Sequence, residues 1–409
     1  MRELQALIPA DMHSSPVRQF ITLVVLALAA TLAPVSIDIL APSLPGISAG
    51  LGANPQTIEL TIYSFLIGYG ISPSFWGPLS DRLGRRPIMF VGMLIYTVSS
   101  LAAASADEAS WLITVRFLQG IGGGAGATMA RAIIRDIYGA AGTTRGMARM
   151  ISLMSILPFL MPLLGGVVAD QFSWSACFIV MALIAVISVT AYFFLVPESA
   201  PRKLLPQAQR PGSVIGIMMN PIFAQHALCN MFSISTLVLF GANFAFITQH
   251  EFSFDSADNG LVLALFNGAL SAGTYLVWWL MRKFNTHQAI LMGAGSCTLG
   301  WLGIALLANS GLATVAAITP LLGLAAAGSG VIMALCSGTA LAPFSHNSGT
   351  ASSLYLLLQS AGSSAISLCV GLLLPKQLLP IAAAICCCGC LAILSKLAFP
   401  RSTVSPDKG

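Results

Sequence analysis

Charge is scarce in this sequence. Asp, Glu, Lys and Arg make up 8% of its 409 residues, where a soluble chain of ordinary composition carries about a quarter. So little polar surface excludes a globule covered by water. With 56% hydrophobic residues and a mean hydropathy of +0.85, the outer face is expected to meet lipid. The net charge of +5 is small, so nucleic acid is not an expected partner. No phosphate-cradling loop and no hydrolytic constellation is present, so neither ATP as the energy source nor an enzyme is expected. The first 19 residues hold Arg2, Glu3, Asp11 and His13 and no apolar core. They are not a cleavable signal peptide, and the first span is expected to act as an uncleaved one. No separate soluble domain and no long low-complexity tail is expected. Four of the nine cysteines, Cys386, Cys387, Cys388 and Cys390, form CCCGC. That spacing is wrong for tetrahedral zinc, and successive helical residues point apart. They are expected to pack as small apolar residues, with no metal and no disulfide framework.

What is abundant is long apolar runs. A helix needs about 20 such residues to cross the hydrocarbon core. Runs of that kind fall at 20–43, 57–79, 87–106, 110–133, 147–169, 174–196, 222–248, 259–281, 287–308, 312–340, 348–373 and 377–398. They are continuous, whereas barrel strands would alternate over about ten residues. The chain therefore reads as an all-α membrane protein with twelve transmembrane helices. With the N-terminus placed inside, 17 of the 19 Lys and Arg fall in inside segments. Only Lys376 falls outside, and Arg116 lies within a span. Outside loops carry Asp107, Glu108, Asp170, Glu251, Asp255 and Asp258. This bias places both termini in the cytoplasm and the chain in the cytoplasmic, or inner, membrane. The Pro-rich, charged stretch 197–221 divides six spans (1–196) from six (222–409), and reads as a cytoplasmic linker between two bundles.

Against this background GPLSDRLGRRP at 77–87 stands out, a charged turn between the second and third spans. Gly77 suits a close helix approach, and Gly84 a tight reversal. Asp81 at the end of a span suits the positive N-terminus of another helix. Arg85 and Arg86 can pair with Asp136 at the end of span four and with Glu198 after span six; Arg82 completes the charged set. In this position the pattern resembles the signature loop of the major facilitator superfamily. The span count, central linker and cytoplasmic ends match that fold, which implies two six-helix bundles that alternate about a central cavity. The resemblance supplies a partner for Asp81 in the start of span eleven, SHNSGTASS (345–353). Such a latch holds the cytoplasmic ends together and breaks as the protein opens inward.

Two further stretches carry the resemblance. RFLQGIGGGAGA (116–127) is similar to the R-x-x-Q-G motif of the family's fourth helix, with Gly122 and Gly126 on a close-packing face. Its Arg116 is a charge within a span, costly unless paired or functional. SILPFLMPLLGG (155–166) resembles the proline-glycine motif of proton-coupled exporters. Pro158 and Pro162 remove backbone donors and bend the helix, and Gly165 and Gly166 allow tight contact with a neighbour.

SIDILAPSLP (36–45), together with NPQTIELTIYSFLIGYG (54–70) and GTASSLYLLLQ (349–359), is similar to the Bcr/CflA branch of drug exporters. Asp38 and Glu59 are the acids nearest the outer mouth of the first bundle, at a depth comparable to Arg116. Asp38 facing Arg116 would be a carboxyl able to gain and lose a proton in the working range. The expected proton or substrate coupling set is Asp38, Arg116 and Glu59. In the second half Asn230, Asn243, Asn267 and Gln359 are pocket candidates, and His226 is expected at a solvated span end. The resemblance implies a monomeric exporter of a small amphipathic compound or drug, driven by the proton gradient without a cofactor, with the lipid bilayer as its surroundings. Export of a native metabolite such as a siderophore, import by proton symport, and a non-transporting sensor are the competing readings.

Overall fold

In a computed structural model the described residues are 16–154, 157–196, 199, 214–344 and 348–398. They form sixteen α-helices. In chain order these are α1 (Pro16–Asp38), α2 (Leu44–Gly50), α3 (Pro55–Ile71), α4 (Pro73–Leu83), α5 (Arg85–Ala104), α6 (Ala109–Met154), α7 (Leu157–Gln171), α8 (Trp174–Leu195), α9 (Val214–Met218), α10 (Pro221–Phe252), α11 (Ser256–Lys283), α12 (Thr286–Asn309), α13 (Val315–Leu341), α14 (Ser348–Leu357), α15 (Ser363–Leu373) and α16 (Leu378–Leu397). A π-helical turn, Leu358–Gly362, joins α14 to α15. The expected linker falls largely on 197, 198 and 200–213, outside the described residues, as do Glu198 and 345–347 at the start of span eleven.

Local chemistry sets the helix starts. Asn54, Ser173 and Thr314 each accept the amide three residues on, and Asn285 with Gln288 makes a reciprocal capping box at the start of α12. Gly84, with φ of +100°, turns the chain between α4 and α5, a backbone state that a side chain would strain. Among the described residues nine helices are long and apolar enough to cross a membrane. The expected second, fourth and fifth spans are built differently. The second divides into α3 and α4 because Pro73 has no N–H for the Tyr69 carbonyl; the Ser72 hydroxyl donates to that oxygen instead, at 2.9 Å. The fourth lies within α6, whose 46 residues continue into the expected fifth. Gly146 packs against Ile134 and Tyr138. In a straight helix Gly146 and Ile134 would stand about 18 Å apart, so the chain doubles back here. The rest of span five is the short apolar α7, 15 residues long.

Contacts group the chain into two compact units. The first holds the chain up to Ala208 with Gly241–Gly268 and Ser364–Gln377; the second holds Gln209–Phe240, Ala269–Ser363 and the chain from Leu378. In the first unit α6 is the central helix. A Cβ on Gly122 would lie 2.6 Å from the Gly92 carbonyl of α5, and one on Gly126 2.5 Å from the Ala29 carbonyl of α1. In the second unit Cys229, Ile290, Ala294, Ile332, Cys336 and Ala392 form one buried cluster, and Phe223, Ala340, Ala351, Leu354 and Tyr355 belong to another. Outward faces are apolar, as with Leu94, Val98 and Leu101 on α5 and Leu183, Val186 and Ile187 on α8. These faces suit lipid, and the chain is a multi-pass membrane protein. In the CCCGC stretch Cys388 is buried while Cys387 and Cys390 are exposed. Among the described residues no three metal-binding side chains converge.

Candidate functional site

The first unit has two distinguishable ends: one carries the basic turn between α4 and α5, the other the acidic loops. The end of α1 is held at the acidic end. Asp38 is its last residue, and two prolines follow, Pro42 and Pro45. Asn267 of α11 donates through Nδ2 to Asp38 Oδ1 at 3.0 Å and to the Pro158 carbonyl of α7 at 2.8 Å. That carbonyl is available for a physical reason. Its helical partner would be the amide of residue 162, four positions on, and Pro162 has none. Pro162 of the span-five motif thus leaves an acceptor, the Pro158 carbonyl, that α11 uses. Pro158 itself lies in the first turn of α7, where a missing N–H costs little. The following glycines let two elements approach. A Cβ on Gly165 would sit 2.0 Å from the Ile39 carbonyl, and one on Gly166 2.4 Å from the Ser256 carbonyl at the start of α11.

Arg116 does not face Asp38. Its guanidinium is fully buried against Phe65, 4.3 Å from the ring centroid. It donates to the Gln119 side-chain oxygen at 2.5 Å, the Thr61 carbonyl at 3.3 Å and the Ser36 carbonyl at 3.5 Å. Gln119 in turn donates to Ser100 Oγ at 2.7 Å. Helix geometry explains the difference from the expected pairing. Ser36 and Asp38 are two residues apart, about 200° around α1, and so project to nearly opposite sides. Comparable depth, which the sequence indicates, does not put two groups on the same side. Among the described residues Arg116 has no carboxylate within ion-pair distance.

Glu59, which the sequence leaves near a span start, is 1% exposed. Its partner is Lys376 in the loop after α15, 2.5 Å away. Tyr63 donates to the other carboxylate oxygen at 3.3 Å, and Lys376 also donates to Asn243 Oδ1 at 2.8 Å. Lys376 was missing from the expected coupling set. Its signal in the sequence was its position, as the single Lys or Arg of an acidic end.

At the basic end Arg85 is buried. It donates to Asp81 at 2.6 Å, Ser80 Oγ at 2.6 Å and Asp136 at 3.1 Å, so the expected pairing of Arg85 with Asp136 is present. Arg86 donates to the Phe193 carbonyl and covers the Phe193 ring; its expected partner Glu198 lies outside the described residues. Asp81 keeps 57% of its side-chain surface exposed, and Arg82 is exposed. Among the described residues Gly77 is not at a close contact: a Cβ there would meet none of them within 4 Å, because Trp76 and Ser80 are the residues turned inward on α4. Replacing Arg85 with Ala is therefore expected to cost about 3 kcal/mol by stranding Asp136. Gly77→Ala is expected to leave the melting temperature of the detergent-solubilised protein unchanged. Thermal denaturation of the two variants checks both.

The four pocket candidates do not share one unit. Asn243 and Asn267 belong to the first; Asn230, which is buried, and Gln359, in the π-helical turn, belong to the second. His226 is buried rather than solvated. Its Nδ1 contacts the Ile222 carbonyl at 2.8 Å, leaving Nε2 to accept from the Lys396 ammonium at 2.6 Å. The apolar run of α16 brings that lysine inward to cover the histidine.

Comparison with known proteins agrees with this architecture. The family model for the Major Facilitator Superfamily matches residues 26–367. The multidrug resistance protein MdtL of Salmonella paratyphi B is 26% identical over 332 residues, 81% of this chain and 83% of its own. MdtL of Salmonella typhi gives the same figures. Among solved structures, the xylose transporter XylE from E. coli in an inward open conformation aligns with a TM-score of 0.76 at 15% identity, covering 95% of this chain and 98% of that one. The nucleoside transporter NupG aligns with a TM-score of 0.72 at 13% identity, covering 93% and 98%. At those identities the likeness is one of fold, an all-α one.

Proposed function

Because this chain belongs to the Major Facilitator Superfamily, we propose that it is a transporter, not an enzyme, and that it exports a small amphipathic compound in exchange for protons. The relatives named for multidrug resistance support a drug-like cargo. The distribution of Lys and Arg supports a cytoplasmic-membrane location with the basic end and both termini in the cytoplasm. Residues 1–196 and 222–409 act as two bundles rocking about a midplane cavity, joined by 197–221. The protein works as a monomer in the bilayer, with no cofactor and no metal. A proton crossing 100 mV supplies about 2.3 kcal/mol, enough for roughly fiftyfold accumulation.

The observation that carries this reading is the partner of Asp38. Its carboxylate is held by a neutral amide, that of Asn267, so it can take up a proton without stranding a cation. Protonation removes the charge assistance from that hydrogen bond, about half its strength. Proton uptake at Asp38 thereby loosens α11 from α1 and α7. Counterflow in proteoliposomes tests transport itself: a labelled amphenicol, quinolone, dye or siderophore should exchange against the same unlabelled compound. No exchange with any of the four classes, in protein that remains folded, overturns the reading. Accumulation in the direction of proton flow makes the protein an importer.

A further inference from the structure

A lysine on the wrong side of the charge pattern calls for a reason. Lys376 is the single Lys or Arg expected at the acidic end, and its side chain is only 11% exposed. An ammonium has three protons to place, and here each has an acceptor on a different element. Glu59 of α3 takes one at 2.5 Å, Asn243 of α10 one at 2.8 Å and the Gly371 carbonyl of α15 one at 3.1 Å. Gly371 also makes room for the carboxylate, since a Cβ there would lie 2.8 Å from Glu59 Oε2 and 3.1 Å from the Tyr63 hydroxyl. A buried ion pair is maintained when further hydrogen bonds complete both partners. That condition is met, with Tyr63 and Asn243 serving as the additional ligands.

We propose that Lys376 is the clasp of the acidic end. Its ammonium ties α3 to α10 and to the end of α15, and it must release Glu59 each time this end opens. Glu59 then serves as the fixed counter-charge of that clasp, not as a second carrier of protons. The groups facing Glu59 fit this role. Lys376 is the one charged group in contact with it among the described residues, Tyr63 is a neutral donor to it, Asn243 is a neutral ligand of the lysine, and Gly371 offers only backbone. Asp38 is placed differently, with an amide as its partner. The inference rests on the transport reading above only in supposing that this end opens.

The test reads opening without any substrate. Ile247, buried on α10 one turn beyond Asn243, is replaced with Cys in the full chain in liposomes. Its reaction with a membrane-impermeant maleimide is timed, and the chain without Ile247→Cys gives the background. Lys376→Met and Glu59→Gln should each raise the rate about fivefold or more. Lys376→Arg, and the exchanged pair Glu59→Lys with Lys376→Glu, should stay within about twofold of the parent. Single variants that leave the rate unchanged overturn the clasp, as does an exchanged pair no slower than the singles. If the single variants fail to insert, the other two decide. Parent rates in both support the pair, and failure of the exchanged pair where Lys376→Arg succeeds overturns it. Faster labelling without counterflow would retain the clasp and overturn transport; counterflow with unchanged labelling would do the reverse.

Discussion

Asp38→Asn is expected to abolish proton-driven movement while leaving exchange intact. In everted vesicles with an imposed pH gradient, adding a transported amphenicol, quinolone, dye or siderophore should partly collapse the gradient. In the variant that response should fall about a hundredfold, the scale on which a positioned proton-transferring side chain acts. Counterflow should continue, because exchange of one compound for itself moves no net proton. The substitution is nearly isosteric, and its amide oxygen can still accept from Asn267, so the fold is not threatened. Asp38→Glu should retain part of the response, since it keeps a carboxyl but moves it by one methylene. Gradient collapse at the parent rate in Asp38→Asn would remove this residue from the coupling mechanism.

Arg116→Ala is expected to act in the opposite way, on the fold first. The change removes the donors for the Gln119 oxygen and for the Thr61 and Ser36 carbonyls, all inside the first unit. A buried acceptor left unmet costs about 1–3 kcal/mol; the Thr61 carbonyl keeps the Ser64 hydroxyl as a donor at 3.3 Å, so the loss falls on the other two acceptors, and the contact over Phe65 goes with them. The detergent-solubilised variant should melt far below the parent or fail to accumulate in the membrane. Arg116→Lys should rescue only part of this, because an ammonium cannot reproduce the planar fork that meets three acceptors on α1, α3 and α6. Coupling in whatever protein survives should be near normal, since the guanidinium does not touch Asp38. A variant that melts like the parent but loses gradient collapse would show that Arg116 acts on the proton-carrying carboxyl after all.

These two residues also show what the sequence could and could not disclose. Composition and run length were sufficient for the all-α membrane class and for nine of the expected spans among the described residues, because a membrane helix must supply its own backbone hydrogen bonds and about 30 Å of apolar length; the breaks in the second, fourth and fifth were not legible. The charged turn was legible for a similar reason: Gly84 needs a positive φ, and the cation that is buried there, Arg85, meets its anion Asp136 close in the fold. Rotation about a helix axis was not legible. Asp38 and Arg116 share a depth yet face different neighbours, and an apolar span has too weak a polar face to reveal which way it turns. Contacts between distant spans were hidden as well. Asn267 was a candidate, but its bond to Asp38, 229 positions away, leaves no periodic trace. Lys376 could be noticed only as an exception, and an exception does not name its partner. The covered histidine at 226 needed the last helix to be in place before its environment could be known.

The proline at 162 carries one more consequence. Its usual role in a helix is read as a hinge, yet here it acts by subtraction, leaving the oxygen at 158 unclaimed for a side chain on another helix. Any of the other nineteen residues would bring an amide back and let α7 bond to itself. A motif defined by its rings therefore works through a missing hydrogen, and the neighbour that fills the vacancy is the same asparagine that grips the acid.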